Sequence, residues 1–374
     1  MIDYLKTARY WLPTYLRQPV DPLPSGMKDV MVCVCDHFEP LHGANKPEAR
    51  ARLVRWKKKF PENIAPFKDA DGIHPRHTLF YPVEQYDSDL LCEIEELVAA
   101  SGAEVELHLH HDNENSERFR RHIVEGIENF RKHGFLSSDR SGKTRYGFVH
   151  GDWALDNSHP LGINCGVDDE IRLLRETGCY ADFTLPSAPD AAQTSTINRI
   201  YYAMDSLRSK SHDTGVAARV MSDEPEPRAI DTPRFGDLLL VQGPLGLNWE
   251  CRKFGFLPRV DNADLTKVNP PTESRLRLWL RLHIHVVGRP EWTFIKLHCH
   301  GAPPPNSEVF LGDPYRQFHE HLAAELTGAK NWRLHYVTAR ELVNIVHAAE
   351  DGHSGNAGEF RDYRYRLNNS KGEA

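Results

Sequence analysis

The stretch Glu104-Val105-Glu106-Leu107-His108-Leu109-His110-His111-Asp112-Asn113 decides how the rest of the chain is read. Its alternation predicts a β-strand, with Val105, Leu107 and Leu109 on one face and Glu106, His108 and His110 on the other. Along the polar face the side chain changes from carboxylate to imidazole, and further donors follow at once. Imidazoles that converge at a strand end are an economical way to hold a divalent metal. The strand Phe294-Ile295-Lys296-Leu297-His298-Cys299-His300-Gly301 repeats the pattern, with Lys296, His298 and His300 sharing a face.

Outward from this strand the sequence alternates strands with helices, the mark of βα units around a parallel sheet. Asp29 to Cys35 is almost wholly apolar, as a strand buried on both faces must be, and Thr78 to Tyr81 reads as a second strand. Ser88 opens a helix whose face carries Leu91, Ile94, Leu97 and Val98 and which closes near Gly102. Phe119, Ile123, Ile127 and Phe130 form the next stripe, ended by Gly134. Further strands are predicted at Tyr146 to His150, Cys179 to Leu185, Leu238 to Gln242, Trp292 to His298 and Trp332 to Val337, with a helix over Val167 to Thr177.

The chain has 374 residues and a formal charge of −7 from 46 basic and 53 acidic side chains, mixed without long runs. That length allows one barrel domain with extensions or, equally, two domains. The charge pattern lacks the basic stripe of a nucleic-acid-binding protein. Twenty-one histidines raise the expectation of a metal site, while seven cysteines without CxxC spacing do not form a secreted disulfide framework. Met1 to Arg17 lacks a signal-peptide pattern, and no apolar run is long enough to span a bilayer, so a cytoplasmic protein without stable membrane insertion is expected.

In a fold of this kind chemistry belongs at the carboxyl ends of the strands. Those ends read Asp36-His37-Phe38-Glu39, His108 to Asn113, His150-Gly151-Asp152-Trp153 with Asp156 and Asn157 beyond, and His298-Cys299-His300. Asp36 is a candidate base or ligand, with a cap or turn as the competing reading. His37 faces away from Asp36 unless the chain turns there. His111 either replaces one of its neighbours as ligand or orients it. Trp153 is either packing or a sugar platform. Ser141-Gly142-Lys143-Thr144 imitates the end of a phosphate loop, but Ser137 stands where its first glycine belongs, so it reads as a turn. His283 and His285 fall in an apparent helix from Glu273 to Val287, where a spacing of two separates their rings.

These motifs resemble the polysaccharide deacetylase superfamily of metal-dependent carbohydrate esterases. Val34-Cys35-Asp36-His37 occupies the place of its strand followed by Asp-Asp, and Gly102 to His108 resembles the approach to its His-x-x-x-His motif. Asp112 stands where the second histidine is expected, leaving His110 or His111 as substitutes. Ile295-Lys296-Leu297-His298 is similar to the strand bearing the acid histidine, and Tyr336 to Leu342 to the closing strand-to-helix step, where Thr338 and Glu341 also form a capping box. The likeness runs over residues 29–347, but the arginine motif after the fourth strand is replaced by His150-Gly151-Asp152-Trp153.

The resemblance implies an α/β fold, a distorted (β/α)7-type barrel over residues 29–350. Residues 1–28 would form an N-terminal extension, 188–234 a lid-like excursion over the mouth, and 351–374 a polar tail. It implies removal of acetyl groups from N-acetylated sugars. Asp36 would be the base and His298 the acid; His37, His108, His110 and His111 would be ligands of one divalent metal. Zinc suits this set best, with nickel, cobalt, manganese or iron also able to fill it. His150, Asp152, Trp153, Asn157 and His300 would hold the carbohydrate, a nucleotide- or lipid-linked sugar if the protein is cytoplasmic. Two other functions stay open: a glycosidase using Asp36 with Asp152, and a catalytically silent carbohydrate-binding protein.

Overall fold

The computed structural model describes residues 2–18, 24–221, 236–326 and 331–367. Its strands are β1 (Lys28–His37), β2 (His77–Pro82), β3 (Glu104–Leu109), β4 (Ser137–Asp139), β5 (Thr144–His150), β6 (Cys179–Asp182), β7 (Ile200–Ala203) and β8 (Val216–Ala217), followed by β9 (Leu238–Val241), β10 (Gly246–Lys253), β11 (Leu257–Asp261), β12 (Asp264–Leu265), β13 (Trp292–Cys299), β14 (Trp332–Tyr336) and β15 (Tyr365–Leu367). The helices are α1 (Ile2–Arg17), α2 (Lys46–Ile64), α3 (Ser88–Ser101), α4 (Ser116–Lys132), α5 (Glu170–Thr177), α6 (Glu273–Leu282), α7 (Ser307–Phe310), α8 (Asp313–Leu326) and α9 (Ala339–Glu350).

The protein is an α/β protein built on one large, mixed and mostly parallel sheet, ordered β12-β13-β1-β2-β3-β5-β6-β9-β7-β8. Every neighbour from β12 to β9 is parallel; β7 then runs antiparallel to β9, and β8 to β7. One edge of β1 is shared, β14 pairing with Lys28–Val32 and β2 with Val34–His37. All ten residues of β1 are buried, as its apolar run predicts for a central parallel strand.

The register sorts side chains into two apolar layers. Val32, Val34, Leu107, Leu109, Phe148 and Leu297 pack with helix residues such as Trp56, Leu91 and Phe119. Met31, Cys33, Cys35, Phe80, Val149 and Phe294 pack on the opposite face, with Tyr180 and Phe183. Helix ends follow local chemistry. Asp87 caps α3 and left-handed Gly102 closes it, while Thr338 and Glu341 form the expected capping box on α9.

Several boundaries differ from expectation. The helix expected from Val167 starts at Glu170, because Val167 belongs to a turn around Cys165. The strand from Cys179 stops at Asp182, whose carboxylate accepts from both the backbone N–H and the hydroxyl of Thr184. The helix expected to reach Val287 ends at Leu282, where His283 turns left-handed, and the rings of His283 and His285 come within 4.5 Å instead of being held apart. Within the expected excursion, β7 is part of the main sheet, while residues 222–235 lie outside the described residues. Within the expected tail, β15 pairs with β4 and Arg361 bonds Asp69 and Asp71, while residues 368–374 lie outside the described residues. No helix among the described residues is long and apolar enough to cross a membrane.

Candidate metal centre

Three parallel strand ends deliver imidazoles to one place. The register pairs Cys35 with His298, His37 with Phe80, and Pro82 with His108, so His37, His108 and His298 share the sheet face of Phe80 and Phe294. His110 and His300 lie just beyond β3 and β13 on the same side. The ring of His37 is 4.9 Å from that of His108, 4.6 Å from His300 and 6.3 Å from His298, and His108 is 4.4 Å from His110.

Glu39, 2% exposed, sits at the middle of this group. Its Oε1 is 3.4 Å from His108 Nε2 and 3.0 Å from His110 Nε2, and its Oε2 is 3.1 Å from His300 Nδ1. Burial works against a charge on Glu39, but the imidazoles of His108, His110 and His300 gathered around it outweigh that and hold the carboxyl far below the usual range. Burial also opposes a cation at His110. There its bonds to Glu39 and, through Nδ1 at 2.7 Å, to Glu84 win, raising the pKa to about 10. His37 and His298 are both pushed well below the ordinary histidine value, first by burial and then by neighbouring side chains, His300 foremost at His37 and Lys296 at His298.

The donor set fits a divalent cation. His108 Nδ1 lies 2.8 Å from the carbonyl oxygen of Val149, which makes Nδ1 the donor and leaves the lone pair on Nε2. That Nε2, and the Nε2 of His37, are buried without a hydrogen-bond partner. Buried orphan nitrogens are costly unless something binds them. His110 and His300 keep about a third of their side-chain surface exposed, so the centre opens to solvent.

Other predicted site residues go elsewhere. Asp36 points to the helix side of the sheet, 0% exposed. Its Oδ1 accepts from Gly301 N–H at 2.7 Å and its Oδ2 lies 3.0 Å from His77 Nδ1, whose other nitrogen meets Tyr315 Oη at 2.9 Å. The strand continues unbroken through His37, so period two separates the two side chains, and Asp36 is not at the base position the resemblance implies. The glycosidase pair loses its footing too, since Asp36 is sealed and Asp152 is exposed. Trp153 is half-buried, with its ring 6.2 Å from that of His300. Asn157 braces its own loop: its Nδ2 donates to Asp168 at 2.8 Å and its Oδ1 accepts from Gly166 N–H at 3.3 Å.

His111 and His150 belong to a second group on the helix side. Leu109 pairs with His150, which puts His150 on the face of Leu107 and Phe148, opposite His108. There His111, His150, Cys165 and Glu170 bring ligand atoms within 4.8 Å of one another, all buried, and could hold a metal ion. His150 is 0% exposed and cannot meet a substrate. Burial lowers the pKa of His111 to about 4 and that of His150 to about 3, so both are neutral imidazoles. The sequence reading missed Cys165, Glu170 and Glu84. Cys165 lies in an irregular loop, and Glu170 looks like an ordinary first-turn acid.

Neither protein-family models nor curated proteins give a match to this sequence.

Proposed function

We propose that the protein is a metal-dependent hydrolase that removes acetyl groups from N-acetylated sugars, on a distorted (β/α) barrel of the polysaccharide deacetylase kind. The observation that carries this reading is the convergence of His37, His108, His110 and His300 on buried Glu39 at the carboxyl ends of parallel strands. His37, His108, His110 and Glu39 would hold one divalent ion, zinc in preference, with His300 at the rim. A bound ion there supplies Lewis acidity, polarising an amide carbonyl and lowering the pKa of water.

The chain's own groups supply the proton path and the positioning. His298 is neutral at rest and its buried Nδ1 has no hydrogen-bond partner. With Asp36 turned away, His298 takes the proton of the attacking water and hands it to the departing amine nitrogen as the C–N bond breaks. Asp36 acts through Gly301, holding the strand end that carries His298 and His300. Glu84 orients His110. Trp153 offers an apolar face for a sugar ring beside the open centre, and exposed Asp152 a partner for its hydroxyls.

The test is acetate release from N-acetylglucosamine oligomers by untagged protein reconstituted with zinc, alongside His108→Ala/His110→Ala. Release by the wild type that disappears with the double variant supports the reading. Zinc bound at this centre with no acetate released from any acetylated sugar sinks it, and new reducing ends without acetate would indicate a glycosidase.

A further inference from the structure

We propose that His111, His150, Cys165 and Glu170 form a second metal centre, a closed structural zinc site that staples the loop after β5 to the ends of β3 and β5. The site stands on the opposite face of the sheet from the open centre and shares no residue with it.

Its geometry is that of a tetrahedral site waiting to be drawn together. With zinc bonds of about 2.0–2.3 Å, tetrahedral ligand atoms lie roughly 3.3–3.7 Å apart. Here His111 Nε2 is 3.3 Å from Glu170 Oε1, Cys165 Sγ is 3.4 Å from Glu170 Oε2, and His150 Nε2 is 3.8 Å from Glu170 Oε2. His150 Nδ1 faces the carbonyl oxygen of Gly151, so Nε2 carries the lone pair; it is buried with no hydrogen-bond partner. The second nitrogen of His111, Nδ1, is buried and partnerless too.

In the empty site burial pushes the Cys165 thiol and the Glu170 carboxyl up towards their neutral forms; a bound cation would reverse this, and donors to the charged forms already stand in place. Cys165 Sγ accepts from two backbone N–H groups, Asn157 at 3.2 Å and Val167 at 3.4 Å, and Glu170 Oε2 accepts from Asp156 N–H at 2.6 Å. Zinc(II) with one thiolate, one carboxylate and two neutral imidazoles has no net charge, the condition under which burying an ion costs least. Binding would release the Cys165 thiol proton to solvent. Sulfur beside nitrogen favours zinc over magnesium, calcium or manganese, and full burial matches a structural rather than a catalytic site.

The loop needs such a tie. Between β5 and α5 the non-glycine residues Asp152, Trp153, Asp156, Asn157 and Asn164 all have positive φ, conformations that side chains rarely adopt unless the surroundings impose them. Cys165 and Glu170 lie at the far end of this loop, and Trp153 at its start stands beside His300. The staple would therefore also set one wall of the open centre.

Zinc-edge X-ray absorption on the full-length, untagged, zinc-loaded protein tests this without a mutation. We expect a sulfur scatterer at about 2.3 Å, because the ligands proposed for the open centre contain no sulfur. We expect the same scatterer in His108→Ala/His110→Ala, with one zinc per chain lost, and its disappearance in Cys165→Ser. Absence of sulfur around zinc in the loaded wild type would overturn the proposal, as would loss of the sulfur signal when only His108 and His110 are replaced.

Discussion

Gly151→Ala is the sharpest probe of the open centre, because its effect can be worked out from distances alone. A Cβ on Gly151 would lie 2.4 Å from His110 Cδ2, 2.6 Å from its Cγ and 2.8 Å from its Cα, where ordinary contact begins at 3.4 Å. The His110 ring must therefore retreat by about 1 Å. It is not free to do so, since Nδ1 is held at 2.7 Å by Glu84 and Nε2 at 3.0 Å by Glu39. Gly151 does not have a left-handed φ, so alanine adds no backbone penalty and even gains about 0.4–1 kcal/mol from the unfolded chain. Overpacking of this kind costs about 1–3 kcal/mol, a net fall of a few degrees in Tm. A displacement of about 1 Å in a group holding the reaction centre costs on the order of 10²-fold in rate. The assay pairs thermal melting and zinc titration of the apoprotein with acetate release, in a cycle with His110→Ala. Removing the ring abolishes the two shortest contacts, so the double variant should lose about 1 kcal/mol less stability than the sum of the singles. A Gly151→Ala protein with wild-type Tm, zinc affinity and rate would refute the packing of His110 against the end of β5.

Asp36→Asn should lower stability by about 1–3 kcal/mol through the His77 and Gly301 bonds. It should leave the limbs of the pH–rate profile in place, and loss of a limb would restore Asp36 as base. Burial outweighs the bonds from Tyr180 and Gly147 and raises the Glu106 carboxyl from 4.5 to about 8, so the native state binds the extra proton between those values. Its contribution is whole below about pH 4.5 and lost as pH rises through about 8, and Glu106→Gln should flatten the urea-unfolding free energy over that window by an amount on the order of a few kcal/mol. An unchanged slope would show that the carboxyl titrates as it does in water. Trp153→Ala should raise KM for acetylated oligomers more than it lowers kcat, and the reverse split would remove the sugar-platform role.

What the sequence made legible was period and strand ends. Alternation of His108 and His110 with Leu107 and Leu109 placed the imidazoles on one face, and the buried register bears this out. The same rule applied to Asp36 and His37 separates them, and the structure follows the rule rather than the motif likeness that joined them. Parity past a strand end is where reading fails. His111 and His150 look like neighbours of His108 in sequence and pairing, yet each falls on the other face, where Phe119 and Phe148 pack. Glu39 was visible only as the last residue of the first strand end, because its position two residues after His37 matters only if the chain stays extended past β1. Cys165 and Glu170 were not legible at all, since an irregular loop has no period from which to infer a face.

The two histidine groups differ in openness for a reason built into those same strands. Residues on the face of His37 and His108 continue past the sheet into loops that leave His110 and His300 about a third exposed. Residues on the face of His150 run under α4 and α5, whose Phe119 and Ile171 close that side from solvent. A polar group beneath a helix layer must be satisfied there, and the proposed ion would let four ligands with balanced charge satisfy one another. A group at the strand mouth faces the opposite demand, because a reaction needs one position left for water and substrate. Period two at a strand end thus divides neighbouring histidines between a sealed group, suited to the structural ion proposed there, and an open one, suited to the reaction proposed for it.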